Sequence, residues 1–301
     1  MDTAVELRQV VKAYDRFVAV DHISFQIRSG SVYGLLGPNG AGKTSTLRML
    51  IGITAPDSGE VRLFEQAFLR RNLRRVGYLP EERGLYRRMK VLEQLVFLAE
   101  LKALPKADAV RRAEQWCERL QLSEWTGRRV EDLSKGMQQK VQFIGALLHD
   151  PDLLILDEPF AGLDPSNAVL LKDVLLELKQ AGKTILFSTH RMDQVERLCD
   201  SICLIHHGKV VLEGDLKKIK SAYGKNHVQL EYAGDAEFLG NPKLVQSFNN
   251  YGNYVEVRLK PGADAQELLR SATTMARVSK FELVEPSLEQ IFIDVVGGAS
   301  A

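Results

Sequence analysis

Residues 37–44, Gly37-Pro38-Asn39-Gly40-Ala41-Gly42-Lys43-Thr44, carry the G-x-x-x-x-G-K-[ST] spacing of a loop that wraps phosphate. Glycines let consecutive backbone N–H groups converge on phosphate oxygens with no Cβ in the way, and the N-terminus of a following helix adds partial positive charge. In this chemistry Lys43 reaches the β- and γ-phosphates, the Thr44 hydroxyl sits on Mg²⁺, and Ser45 adds a further phosphate contact. The flanks supply the required setting: residues 31–36 read as a short buried strand and residues 44–51 as a helix. Nucleotide binding is the first function these residues imply.

A second set of chemical groups ends the apolar run Leu153-Leu154-Ile155-Leu156, where Asp157 and Glu158 stand side by side. The carboxyl ends of parallel strands face the ligand in α/β sheets. There Asp157 helps hold Mg²⁺, as the second acidic feature of a P-loop NTPase does, and Glu158 orients or deprotonates the attacking water. Cys199, Cys203, His206 and His207 fit no zinc spacing well and read as a buried strand ending in a turn.

The elements that must position these groups follow from periodicity. Residues 4 to about 30 alternate as strands, and residues 85 to about 148 turn helical, with Leu92, Leu95, Val96 and Ala99 at three- and four-residue spacing. Residues 153–156 and 184–188 are continuous apolar runs of the kind buried on both sheet faces. Between them residues 167–180 form an amphipathic helix that stops at Gly182. Strand, helix, strand in this order predicts a parallel α/β sheet. After about residue 221 the pattern changes: residues 228–232, 254–259 and 281–284 alternate as half-exposed strands, and residues 263–275 are helical. Ser287 to Gln290 has a capping-box pattern before a last helix with Leu288, Ile291, Phe292 and Val295 on one face. The expected boundaries are a main domain over 1–220, with a helical insert over about 85–150, and a small α+β domain over 221–301.

Composition narrows the class. With 301 residues, 40 Lys+Arg against 39 Asp+Glu and a net charge of +1, nothing global argues for a nucleic-acid partner. No stretch approaches ~18 consecutive apolar residues, and no basic start precedes an apolar run, so a cytosolic protein is expected. Three scattered cysteines fit a reducing compartment.

Residues 133–140, Leu133-Ser134-Lys135-Gly136-Met137-Gln138-Gln139-Lys140, resemble the LSGGQ signature of ATP-binding cassette (ABC) ATPases, and over residues 4 to 220 the chain is similar to an ABC transporter nucleotide-binding subunit. Tyr14 stands at the adenine-stacking position of that family, residues 160–164 at the D-loop, and Ser188-Thr189-His190 at the switch histidine. The resemblance implies an ABC-type P-loop fold, a mixed sheet plus a helical subdomain, and ATP and Mg²⁺ as ligands. It also implies two copies closing head-to-tail around two Mg·ATP, so that Ser134 and Gly136 serve the ATP of the other copy and Asp164 couples the two sites. An integral membrane permease would be the partner, placing the chain on the cytoplasmic face of the membrane. The tail, with Pro286 to Phe292, resembles the C-terminal domain of a bacterial export-type subgroup that includes sodium-exporter-like ATPases.

Each station also has its own physical reason. Tyr14 offers a flat stacking face, the signature opens a helix whose N–H groups suit a γ-phosphate, and His190 at a strand end is placed to hydrogen-bond that phosphate. Two departures stand out: Glu81 occupies the usual Q-loop glutamine position, where it can ligand Mg²⁺ but adds negative charge, and Lys135 and Met137 replace the commoner Gly and Gln. Residues 62–90 hold nine basic residues against three acidic ones, a net +6. That segment faces anionic lipid headgroups, a partner's cytoplasmic helix or simply solvent. The alternative function, a soluble ABC ATPase acting on ribosomes or DNA, is usually built from tandem cassettes or long coiled coils, neither of which this sequence shows. A GTP-dependent switch would need an N-K-x-D base-reading segment.

Overall fold

A computed structural model describes residues 2–82, 84–223 and 226–298, so Arg83 of the basic segment lies outside the described residues. The chain divides into two compact units, Met1–Gly214 and Asp215–Ala301. In the first, β1 (Thr3–Tyr14) and β2 (Phe17–Arg28) pair antiparallel as a hairpin, and β3 (Val32–Leu36) leads into helix α1 (Lys43–Leu50). Strands β4 (Ser58–Leu63) and β5 (Gln66–Ala67) complete a four-stranded sheet in the order β2-β1-β4-β5. A 3₁₀ segment, Arg70–Arg75, precedes β6 (Val76–Leu79). Then come α2 (Val91–Leu101), α3 (Lys106–Arg119) and α4 (Lys135–Leu147), which pack on one another as the expected helical insert. The first of these starts six residues after Leu85, because residues 84–90 form a turn in which Lys90 bridges to Arg129.

The rest of the unit alternates strand and helix: β7 (Leu153–Asp157), α5 (Pro165–Gln180), β8 (Thr184–Thr189), α6 (Met192–Leu198), β9 (Ser201–His206) and β10 (Lys209–Asp215). These strands build a six-stranded sheet in the order β10-β9-β3-β8-β7-β6, in which β9-β3-β8-β7-β6 are parallel. Every residue of β3, β7 and β8 is buried, as the continuous apolar runs require. Leu35, Leu47, Leu50, Ile155, Leu186, Cys203 and Ile205 share one core with the hairpin residues Val20, Ile23, Phe25 and Ile27. Cys203 is thus a core residue, and among the described residues no group of three or more His, Cys, Asp or Glu could hold a metal. Nor is any described helix long and apolar enough to cross a membrane.

Of the basic segment, Arg62 pairs with Glu60 and Glu6, and Arg75 pairs with Asp152 at 2.6 Å while lying over the Phe64 ring. Arg70, Arg71 and Arg74 are exposed on the 3₁₀ segment.

The second unit takes in α7 (Leu216–Ala222), which Asp215 caps through the Lys218 N–H. It continues with β11 (His227–Gly234), β12 (Val245–Asn250), β13 (Val255–Leu259), α8 (Ala265–Met275), β14 (Ala276–Val284) and α9 (Leu288–Gly298). The antiparallel sheet, in the order β12-β13-β11-β14, has the split β-α-β arrangement with its first helix reduced to a 3₁₀ turn, Glu237–Gly240. Strand β12, mostly polar and exposed, is not anticipated by alternation. The capping box at Ser287 forms only in part: Ser287 Oγ accepts from the Gln290 N–H at 3.2 Å, while the Gln290 amide is engaged with Asn249 and Asp294.

One half-buried histidine ties the helical insert to the sheet. Beyond the end of α4, His149 Nε2 lies 3.1 Å from the Val76 carbonyl, and burial, with the Lys102 ammonium nearby, pushes its pKa from 6.5 to about 4. Between pH 6.5 and 4 the unfolded chain therefore binds more protons at this site than the folded one, and stability falls as pH falls through that window. His149→Gln, which cannot titrate, is expected to remove about 1 kcal/mol of the stability lost between pH 6.5 and 4.5, solvent screening at this half-buried site reducing the effect of the full shift. Urea midpoints at the two pH values check this, and parallel profiles for parent and variant would contradict it.

Candidate nucleotide site

Strand β3 delivers the glycine loop to the carboxyl edge of the parallel sheet, with Leu36 paired to Thr189 on β8 and to Leu204 on β9. Two loop positions admit no side chain: a Cβ at Gly37 (φ +149°) would fall 2.2 Å from the Ile205 carbonyl oxygen, and one at Gly42 (φ +107°) 2.2 Å from that of Ala19. Backbone packed this closely against neighbouring strands cannot drift, which fixes where the α1 N-terminus points. Lys43 is 6% exposed, and its ammonium donates to the Gly37 carbonyl at 2.7 Å and the Pro38 carbonyl at 3.1 Å. Burial lowers its pKa, against the opposing pull of Glu158, Asp157 and Glu81.

The acidic half comes from β7. Asp157 is 1% exposed; its Oδ1 accepts a hydrogen bond from Ser188 Oγ, and Thr44 also hydrogen-bonds to it. Burial raises its pKa despite those bonds. Its Oδ2 is buried with no hydrogen-bond partner, an oxygen that suits a hard cation such as Mg²⁺.

Glu158 adopts φ +48°, a left-handed conformation uncommon outside glycine, with its N–H donating to the Ser188 carbonyl at 3.1 Å. This turn points the carboxylate at β8's end. There Oε1 accepts from the His190 backbone N–H at 3.0 Å and lies 2.8 Å from His190 Nδ1, while Oε2 accepts from Thr189 Oγ1 at 3.1 Å. The His190 ring is thus turned toward Glu158. With Nδ1 donating, Nε2 carries a lone pair, and donation to a phosphate oxygen requires a second proton on the ring.

These groups line one cavity of about 370 Å³ together with the β1–β2 hairpin: Tyr14, Phe17, Ala19, Asn39 to Ser45, Glu81, Asp157 and Glu158. The structure therefore brings Tyr14, Asn39, Gly40, Ala41, Gly42, Lys43, Thr44, Ser45, Glu81, Asp157 and Glu158 together, with His190 attached through Glu158. Gly37 and Pro38 contribute their carbonyls to Lys43 rather than a cavity wall. Ser134, Gly136 and Asp164 do not line this cavity. Ser134 caps α4 through the Met137 N–H, Gly136 lies beside Gly162 and Leu163, and Asp164 caps α5 through the Asn167 N–H.

Three contributors escape motif reading. Phe17 and Ala19 would have been found by treating Tyr14 as one end of a tight hairpin. Gln142 on α4 carries no sequence signal; its amide donates to the carbonyls of Pro80 (3.2 Å) and Glu82 (3.1 Å), gripping the chain on both sides of Glu81.

The comparisons with known proteins fit this geometry. The ABC transporter family profile matches residues 20–161, and that of the C-terminal domain of DrrA1-3-like ATP-binding proteins matches residues 214–296. The uncharacterized ABC transporter ATP-binding protein YhaQ of Bacillus subtilis is 43% identical over 288 residues, covering 96% of this chain and 97% of that protein. Nod factor export ATP-binding protein I of Cupriavidus metallidurans is 40% identical over 217 residues, 71% of this chain and 72% of that one. A solved ATP-binding subunit of an ABC transporter superposes with a TM-score of 0.68 at 32% identity, covering 73% of this chain and 93% of the other. The chain belongs to the ABC transporter ATP-binding family. It is an ATP-binding, ATP-hydrolysing subunit of that class, and nothing found favours a ribosome- or DNA-directed ATPase.

Gln142→Ala removes both bonds that hold the Glu81 segment. A fall in kcat of about three- to tenfold is expected, the rate equivalent of one or two lost hydrogen bonds, with KM for ATP little changed. Steady-state ATPase assays decide this; unaltered kcat would show that Glu81 needs no such support.

Proposed function

We propose that this chain powers export through a separate membrane permease by closing and reopening, as a pair of copies, around two ATP molecules. The observation that carries the reading is the Glu158–His190–Thr189 network, joined through Glu158 to the glycine-loop cavity, with a potential cation oxygen on Asp157, which also lines that cavity. Export as the direction rests on the relatives whose names include it.

In this reading the loop N–H groups of residues 39–45 and the Lys43 ammonium hold the phosphates, exchanging the Gly37 and Pro38 carbonyls for phosphate oxygens. Tyr14 stacks on the adenine. Thr44 and Asp157, with Glu81 on the cavity wall, would hold Mg²⁺, which when bound neutralises phosphate charge. Glu158 accepts a hydrogen bond from the attacking water and aligns it with the γ-phosphate, and His190 holds the Glu158 carboxylate in place. Little covalent chemistry falls to the protein, so positioning and charge supply most of the acceleration.

Ser134, Gly136 and Asp164 belong to the other half of the cycle. The α4 N-terminus does not line its own chain's cavity; in this reading, as the resemblance to ABC ATPases implies, its N–H groups and the Ser134 hydroxyl meet the γ-phosphate held by a second copy. Gln139 and Gln142 link that helix to Pro159 and to the Glu81 segment, so seating α4 on a second copy's nucleotide is felt at the first copy's own catalytic edge.

Glu158→Gln keeps the shape and loses the base. ATP binding should persist, an ATP-dependent dimer should accumulate on size-exclusion chromatography, and kcat should fall by about 10²–10⁴-fold. Hydrolysis at the parent rate would remove Glu158 from its role.

A further inference from the structure

Strand β1 loses β4 before it reaches the site. Their last paired residues are Val11 and Ser58, and from there to Tyr14 the paired neighbour is β2. Asp57 takes over on the vacated side. Its Oδ2 accepts from the Ala13 N–H at 2.7 Å, its Oδ1 accepts from the Lys12 ammonium at 2.6 Å, and its own N–H donates to the Val11 carbonyl at 2.8 Å. The Ala13 N–H, with Lys12 adding to it, holds the Asp57 carboxyl below the usual carboxylate range, so the clamp is ionised at neutral pH. Lys12 in turn lies 5.7 Å from the centroid of the Tyr14 ring.

At the hairpin tip, Tyr14 and Phe17 are register partners, which puts both side chains on one face of the hairpin at neighbouring positions. Both line the nucleotide cavity, as does Ala19, which shares the alternation of Phe17 and whose short side chain leaves the wall open. Phe17 is 59% exposed, a large apolar ring held at the rim of a cavity. Of the three residues that the hairpin gives to the lining, only Tyr14, through its hydroxyl, carries a side-chain hydrogen-bonding group.

We propose that Phe17 is a second base-contacting residue: with Tyr14 it forms a two-ring platform that recognises the purine of a nucleoside triphosphate by ring area, on a hairpin tip fixed by Asp57 as positioning residue. The inference rests on the nucleotide reading of the cavity given above. Stacking is tolerant of base identity because every base has a π-face, and it favours the larger purine surface. ATP and GTP therefore bind comparably on this platform, and pyrimidine nucleotides bind less well.

Kinetics of the full chain with ATP, GTP and CTP test this, with melting temperatures to confirm folding of each variant. Phe17→Ala is expected to raise KM for ATP and GTP roughly five- to fiftyfold, with kcat held within about twofold and a smaller shift for CTP, the pattern of lost uniform binding. Phe17→Leu, apolar but without a ring, should fall between. Asp57→Ala should raise the same KM values without lowering kcat; a fall in kcat alone would make Asp57 a structural residue only and overturn its assigned role. Tyr14→Ala separates the remaining outcomes. If it raises KM and Phe17→Ala does not, the platform is a single ring and the proposal fails while the nucleotide site stands. If neither changes KM, the base does not sit on this hairpin and both readings of it fail.

Discussion

Strand β8 lies between β3 and β7, with Thr189 opposite Leu36 on one side and Ser188 opposite Asp157 on the other, and this double register assembles the site. Because side chains alternate across a strand, a one-residue slip of β8 would turn Ser188 away from Asp157 and carry Thr189 and His190 away from Glu158. What prevents the slip is hydrophobic: Ile185, Leu186 and Phe187 are fully buried between the same neighbours. The chemistry at the sheet's edge is therefore held by the packing behind it. The left-handed turn at Glu158 makes sense in this setting, since the Ser188 carbonyl and the β8-end donors compensate for an otherwise unfavourable backbone.

Burial at this edge sets two opposite charges against water. Lys43 and Asp157 are both almost wholly enclosed, and desolvation disfavours the charged form of each while their mutual attraction favours it. The compromise is visible in their partners: Lys43 leans on two loop carbonyls, and Asp157 leans on Ser188 and Thr44 while leaving one oxygen unpaired. In the proposed function a triphosphate and a cation would answer both needs at once, giving Lys43 anionic oxygens and Asp157 a positive neighbour. Preorganised groups of this kind lose little to reorganisation when the γ-phosphate reacts.

The legibility of the sequence followed the locality of the chemistry. Residues 37–44, 157–158 and 188–190 are contiguous because phosphate wrapping, strand-end carboxylates and strand-end donors each draw on one stretch of backbone, and the structure unites the cavity half of them. Fully buried parallel strands were readable for the same reason, since burial on both faces leaves an uninterrupted apolar run. Contacts between distant segments left no trace. Asp57 holds Ala13 from 44 residues away, Gln142 holds Pro80 and Glu82 from 62 and 60 residues away, and the polar edge strand β12 has no alternation to announce it. The orientation of His190 toward Glu158, rather than outward, was equally hidden, because it depends on a turn conformation that no local pattern encodes.

The central claim is that each catalytic site is completed by a second copy, with Ser134 and Gly136 of one chain serving the Lys43 loop of the other. Mixing two inactive variants tests it most directly. Lys43→Ala has an intact signature but no working loop, and Ser134→Arg has an intact loop but a blocked signature, so a mixed dimer contains one complete site. The account predicts that ATPase activity, absent in either variant alone, returns on mixing and peaks near equal proportions. A mixture as inactive as its components, under conditions where exchange of labelled chains is seen, would contradict it.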